Sequence, residues 1–93
     1  MKIKKGFILK KLNENTPNEL NVVIAVGEAS KNINGYIKLN ETAVILWNKL
    51  ELGASFDELV EALLNEFDVD ENVARKDVLS VIKILQSIGA LDE

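Results

Sequence analysis

The side chains able to do chemistry in this chain are few in kind: carboxylates, lysines, one tyrosine and some hydroxyls. Cys and His are both absent, which removes thiol nucleophiles, disulfides, Cys/His zinc sites and imidazole acid–base chemistry. Glu58, Glu61 and Glu66 fall at exposed helical spacings, where acids are normally solvated. Ser55 opens "SFDE", a capping box in which Ser55 and Glu58 satisfy opposite ends of one turn, so its hydroxyl has a structural task. There is no Gly-rich phosphate loop and no nucleophile elbow. In "DVDENVARKDVL" (residues 68–79) Asp68, Asp70 and Asn72 match the first three positions of a calcium loop. Val73, however, stands where the Gly is required and Leu79 where the bidentate Glu is required. That stretch reads as a helix cap with acids at the positive end of the dipole. A phosphopantetheine carrier would need a Ser at a helix start, usually in an Asp-Ser-Leu run, and none is present. The sequence points away from a free-standing enzyme, a metal site or a bound cofactor.

The elements that position these residues fit one domain, residues 1–93. Apolar residues make up 47% and charged residues 28%, close to globular averages, so a folded chain with a mostly aliphatic core is expected. The basic start "MKIKKGFILKKL" has an apolar run of only Phe7, Ile8 and Leu9, too short for a signal peptide. No stretch reaches the length of a membrane span. A cytoplasmic protein is the expectation. Net charge is −4, with a basic N-terminal dozen and an acidic helical half, which argues against nucleic acid as a partner.

Periodicity divides the chain into a strand-like front and a helical back. Residues 6–12 ("GFILKKL"), 20–26 ("LNVVIAV") and 36–39 ("YIKL") read as three short antiparallel strands, separated by loops rich in turn formers. Side chains alternate, so Tyr36 and Lys38 should point opposite to Ile37 and Leu39. Asn34-Gly35 reads as a turn, since both tolerate positive φ. Asn40 suits a helix N-cap. Ala43, Leu46, Trp47 and Leu50 then form a buried stripe, and Gly53 supplies a left-handed stop. Behind the capping box, Phe56, Leu59, Val60, Leu63, Leu64 and Phe67 form a second stripe. Asp70 caps a third helix running to about residue 87, before Gly89. The order β-β-β-α-α-α predicts an α+β fold, a three-stranded antiparallel sheet followed by three helices, of winged helix-turn-helix-like form.

The third helix is apolar over an unusually wide arc. Ala74, Val78, Val81, Leu85 and Ile88 make one stripe; Leu79 and Ile82 extend it one way, Val73 and Ile84 the other. The arc spans about 240°, against roughly 100° for an ordinary surface helix. Either the helix is sandwiched within its own domain, or one flank lines a groove. The Leu79/Ile82 flank, bordered by Arg75, Lys76, Lys83 and Gln86, suits an amphipathic or partly acidic peptide.

Taken together, "GYIKLN" leading into "ETAVILW", then "LELGASFDELVEALLNEF", then "DVLSVIKILQSIGAL", resembles the PqqD-like family of peptide chaperones. The resemblance covers residues 35–91 well and the first two strands loosely. It implies a recognition element for ribosomally synthesised, post-translationally modified peptides, with no chemistry of its own. The leader segment of a precursor peptide would be captured as an added strand on the third strand, against the third helix, and presented to a modifying enzyme. By the resemblance that partner is often a radical SAM maturase. The binding residues it implies are Gly35, Tyr36, Ile37, Lys38 and Leu39 on the strand, with Arg75, Lys76, Leu79, Ile82 and Lys83 on the helix. Main-chain hydrogen bonds would supply affinity and side-chain pockets specificity. The first strand lacks the Pro-containing start associated with the quinone-cofactor pathway itself, so an adaptor for another modified peptide stays open. The rival class is a DNA-binding winged-helix regulator, favoured by Arg75, Lys76, Lys83 and the basic N-terminus. A free strand edge and an apolar flank also leave room for a homodimer.

Overall fold

The computed structural model describes residues 1–31 and 35–92. Asn34, assigned to a turn from the sequence, lies outside them. Among the described residues, five strands and three α-helices form in the order β1 (Lys2–Ile3), β2 (Phe7–Leu12), β3 (Leu20–Ala25), a 3₁₀ turn (Gly27–Lys31), β4 (Ile37–Leu39), α1 (Glu41–Leu52), α2 (Phe56–Glu66), α3 (Glu71–Ser87) and β5 (Leu91–Asp92). The three-stranded antiparallel sheet followed by three helices is an α+β arrangement, as expected. The chain divides into two compact units, Lys5–Asn40 and Met1–Lys4 with Glu41–Glu93.

The first unit is an antiparallel meander in the order β2-β3-β4. The strands match the expected ones with trimmed ends. Residue 6 is a turn because Gly6 has φ +98°, and a Cβ there would meet the Ala29 methyl at 2.9 Å. Val26 lies past the end of β3, its amide donating to the Gly6 carbonyl at 2.7 Å. The loop between β2 and β3 folds on itself through the Thr16 hydroxyl, which donates to the Asn13 carbonyl at 2.7 Å. The Asn15 amide and the neighbouring Lys11 charge hold the Glu19 carboxyl below its ordinary range.

The second unit is the helical one. On α1 the buried residues are Ala43, Leu46, Trp47 and Leu50, the stripe expected from spacing. Trp47 is fully buried and its indole N–H donates to the Glu51 carboxylate, as a buried indole requires. α1 stops at Gly53, whose φ of +91° is costly for any residue with a Cβ. α2 buries Leu59, Val60, Ala62 and Leu63. α3 begins at the Asp70 cap, whose side chain accepts from the Val73 amide at 2.9 Å, and buries Ala74, Val78, Val81, Ile82 and Leu85.

Sequence reading found no trace of β1 and β5, which pair antiparallel, Lys2 opposite Asp92 and Ile3 opposite Leu91. The clasp continues through the Lys4 amide donating to the Ala90 carbonyl at 2.8 Å and the Ala54 amide donating to the Met1 carbonyl at 2.9 Å. Strands of two residues have no period to detect.

The capping box forms as predicted. The Glu58 amide donates to the Ser55 hydroxyl oxygen at 3.1 Å, and the Ser55 amide donates to the Glu58 carboxylate at 2.9 Å. That Ser55 amide, helped by its hydroxyl, holds the Glu58 carboxyl below its ordinary value. Ser55→Ala is expected to lower the unfolding free energy by about 1 kcal/mol at neutral pH, measured by urea denaturation. A carboxyl lowered by folding stabilises above its unfolded pKa, and this contribution is lost as pH falls through the folded value. Because Ser55→Ala keeps the residue-55 amide, the pH dependence is read from Glu58→Gln instead, whose stability gap from wild type should narrow on acidification from the ordinary glutamate range downward.

Candidate functional site

The residues singled out from the sequence fall on two surfaces, one in each unit. In the sheet, β4 is an outer strand. On one side it pairs with β3 through Ile37 opposite Val23, Lys38 opposite Val22 and Leu39 opposite Asn21. On its other side no strand lies among the described residues. In an antiparallel ladder alternate residues turn their N–H and C=O groups outward, so this edge is a template for a further strand. The burial pattern confirms the expected alternation: Leu39 is buried, Ile37 half-buried and Lys38 exposed. Tyr36 lies just before β4 rather than within it, half exposed, and follows the exposed Gly35 at φ +87°. The strand begins one residue later than predicted because pairing with β3 ends at Ile37 and Val23.

On α3, Arg75, Lys76, Leu79 and Lys83 share an exposed flank. Leu79 is 45% exposed, an oily position between cations. Lys76 and Lys83 take part in no ion pair among the described residues. Arg75 is engaged within the unit: Nε donates to Glu71 at 3.0 Å, the guanidinium stands 3.9 Å from the Asp57 carboxylate, and it lies 5.8 Å from the Phe56 ring centroid. Such exposed contacts are individually worth only tenths of a kcal/mol to about 1 kcal/mol, so Arg75 can exchange them for a ligand's carboxylate. Ile82 differs from its assignment to the open flank: it is only 6% exposed and belongs to the buried face of α3. A wheel angle cannot show where a neighbouring element stops covering a wide apolar arc.

Sequence reading also missed an open depression of ≈ 490 Å³ between α2 and α3, lined in part by Val60, Glu61, Leu64, Glu71 and Arg75. Its residues come from two helices with no shared motif, so no local spacing marks it. Among the described residues, no group of three or more acids could hold a metal ion, and no helix is long and apolar enough to cross a membrane. The chemistry these surfaces offer is therefore backbone hydrogen bonding on β4, and apolar contact beside positive charge on α3.

No curated protein matches the chain. One similar solved structure is TbiB1 in complex with the TbiA(beta) leader peptide, 21% identical, with a TM-score of 0.71 over 99% of this chain and 100% of that one. A lasso peptide synthetase B1 complexed with the leader peptide is 19% identical, with a TM-score of 0.69 over 96% of this chain and 93% of that one. At these identities the likeness is one of fold. The family model described as coenzyme PQQ synthesis protein D matches residues 12–91. The chain accordingly belongs to the PqqD family.

Proposed function

We propose that residues 1–93 act as one peptide-recognition domain that binds the leader segment of a ribosomally synthesised precursor peptide. The leader adds as a strand to the outer edge of β4, using Gly35, Tyr36, Ile37, Lys38 and Leu39. It also engages Arg75, Lys76, Leu79 and Lys83 of α3, with Ile82 beneath them supporting the helix. The observation that carries this reading is family membership over residues 12–91 joined to likeness, along nearly the whole chain, to two proteins solved with leader peptides. The outer position of β4 supplies the physical means, since an added strand gains main-chain hydrogen bonds without any catalytic group.

The domain is non-catalytic in this reading. It works in the cytoplasm and presents the leader to a peptide-modifying enzyme, a radical SAM maturase. Net charge weighs against the DNA-binding alternative, despite the local cations Arg75, Lys76 and Lys83. Lys5–Asn40 carries five lysines against three glutamates, which leaves the helical unit, with α3, at a net −6. An acidic unit is a poor partner for phosphates.

The test is an amide NMR titration of the labelled protein with the leader of a precursor encoded beside it. Shifts are expected at residues 36–39 and along residues 75–83. A response confined to α1, or none, removes the proposal.

A further inference from the structure

Both faces of the small sheet carry apolar residues. One face has Phe7, Leu9, Val23, Ala25, Ile37 and Leu39, with Lys11 opposite Asn21 as its polar pair. The other is built in rows across the strands: Ile8 opposite Ile24, Lys10 opposite Val22 opposite Lys38, and Leu12 opposite Leu20. A solvated face of an antiparallel sheet ordinarily reads polar, yet the β3 residues on this second face are Leu20, Val22 and Ile24, with no polar side chain among them. Val22 at the centre is fully buried, flanked by Lys10 and Lys38, whose stems can cover it. Around it the apolar residues stay partly open: Ile8 is 44% exposed, and Leu12, Leu20 and Ile24 are half-buried. Lys10 and Lys38 take part in no ion pair among the described residues. The unit they belong to is net positive in an otherwise acidic chain.

We propose that this face is a second docking surface, whose occupant is an acidic amphipathic segment of a partner protein. Its aliphatic side chains would cover Ile8, Ile24, Leu12 and Leu20, while carboxylates on its flanks meet Lys10 and Lys38. Charge complementarity selects this occupant. A second copy packed face to face would bring Lys10 and Lys38 against their own counterparts. The acidic α2 of a second copy offers Asp57, Glu58 and Glu61, but only Leu64 as a part-exposed aliphatic beside them. The surface goes beyond leader binding: an added strand uses the in-plane edge of β4 and this contact uses the broad face of β2 and β3, the two sharing only Lys38.

The experiment uses the full chain, isotope-labelled, at low ionic strength. The probe is a synthetic helical peptide with Leu at i, i+3, i+4 and i+7 and Glu on both flanks, beside a control with Lys in place of Glu. The acidic peptide should shift the amides of Ile8, Lys10, Leu20 and Ile24, and the basic control should not. Lys10→Glu should weaken binding by about fivefold, the scale of one exposed ion pair lost and made repulsive. Ile8→Asp should weaken it as well, with unchanged circular dichroism because Ile8 is already exposed. Leader titration should be unaffected by either change. Equal binding of both peptides, absence of shifts on this face, or sedimentation showing a dimer that Lys10→Glu disperses would each overturn the proposal.

Discussion

Ile82→Glu is expected to lower the unfolding free energy by roughly 3–7 kcal/mol. Ile82 is only 6% exposed on the buried side of α3. Losing its packing costs on the order of 2–4 kcal/mol. Placing a carboxyl there without a partner adds roughly 1–3 kcal/mol even after it takes up a proton. A chain of 93 residues has a total stability of about 5–14 kcal/mol, so the two costs, roughly 3–7 kcal/mol together, remove a large share of it, and all of it at the lower end of that range. Circular dichroism and urea denaturation would show a collapsed or absent transition. A cooperative transition near the wild-type midpoint would place Ile82 on an open surface after all.

Leu79→Glu is expected to do the opposite, leaving the fold and removing the ligand. Leu79 is 45% exposed, and Leu and Glu have similar helix propensity, so the melting temperature should move by no more than a few degrees. In a leader complex the open half of Leu79 would be covered, worth about 1 kcal/mol. A carboxylate pressed against the added strand costs roughly another 1–2 kcal/mol in lost hydration. Affinity for the leader should fall by about 30- to 150-fold, measured by calorimetry, at a conversion of 1.4 kcal/mol per tenfold. Wild-type affinity in Leu79→Glu with normal folding would remove α3 from the binding surface. The two variants lie within one helical turn, so their contrasting outcomes also measure how sharply the covered face of α3 gives way to the exposed one.

What could be read from the sequence was local. The stripe through Ala43, Leu46, Trp47 and Leu50, the reciprocal bonds of Ser55 and Glu58, the Asp70 cap and the stop at Gly53 all formed where spacing placed them. Each depends on residues within one or two turns of one another. The outer position of β4 was also legible, because three short strands joined by loops pair in sequence order. What stayed hidden was tertiary. Leu79 and Ile82 looked equivalent on a helical wheel, and only the packing of α3 against α1 and α2 separates them. The pairing of β1 with β5 joins residues about ninety positions apart and leaves no mark in either segment. Tyr36 fell outside its strand because the register with β3 runs out at Ile37.

That antiparallel clasp of Lys2–Ile3 with Leu91–Asp92 has an architectural consequence. Polypeptide arriving at the first strand and polypeptide departing from the last pass through the same small patch. A host protein could therefore carry the whole fold as a cassette spliced into a surface loop, opening that loop by little more than the spacing of two hydrogen-bonded strands. Tethering at either end would then hang the cassette from one common pivot, so a fused enzyme could sit at the same place whichever end bears the join.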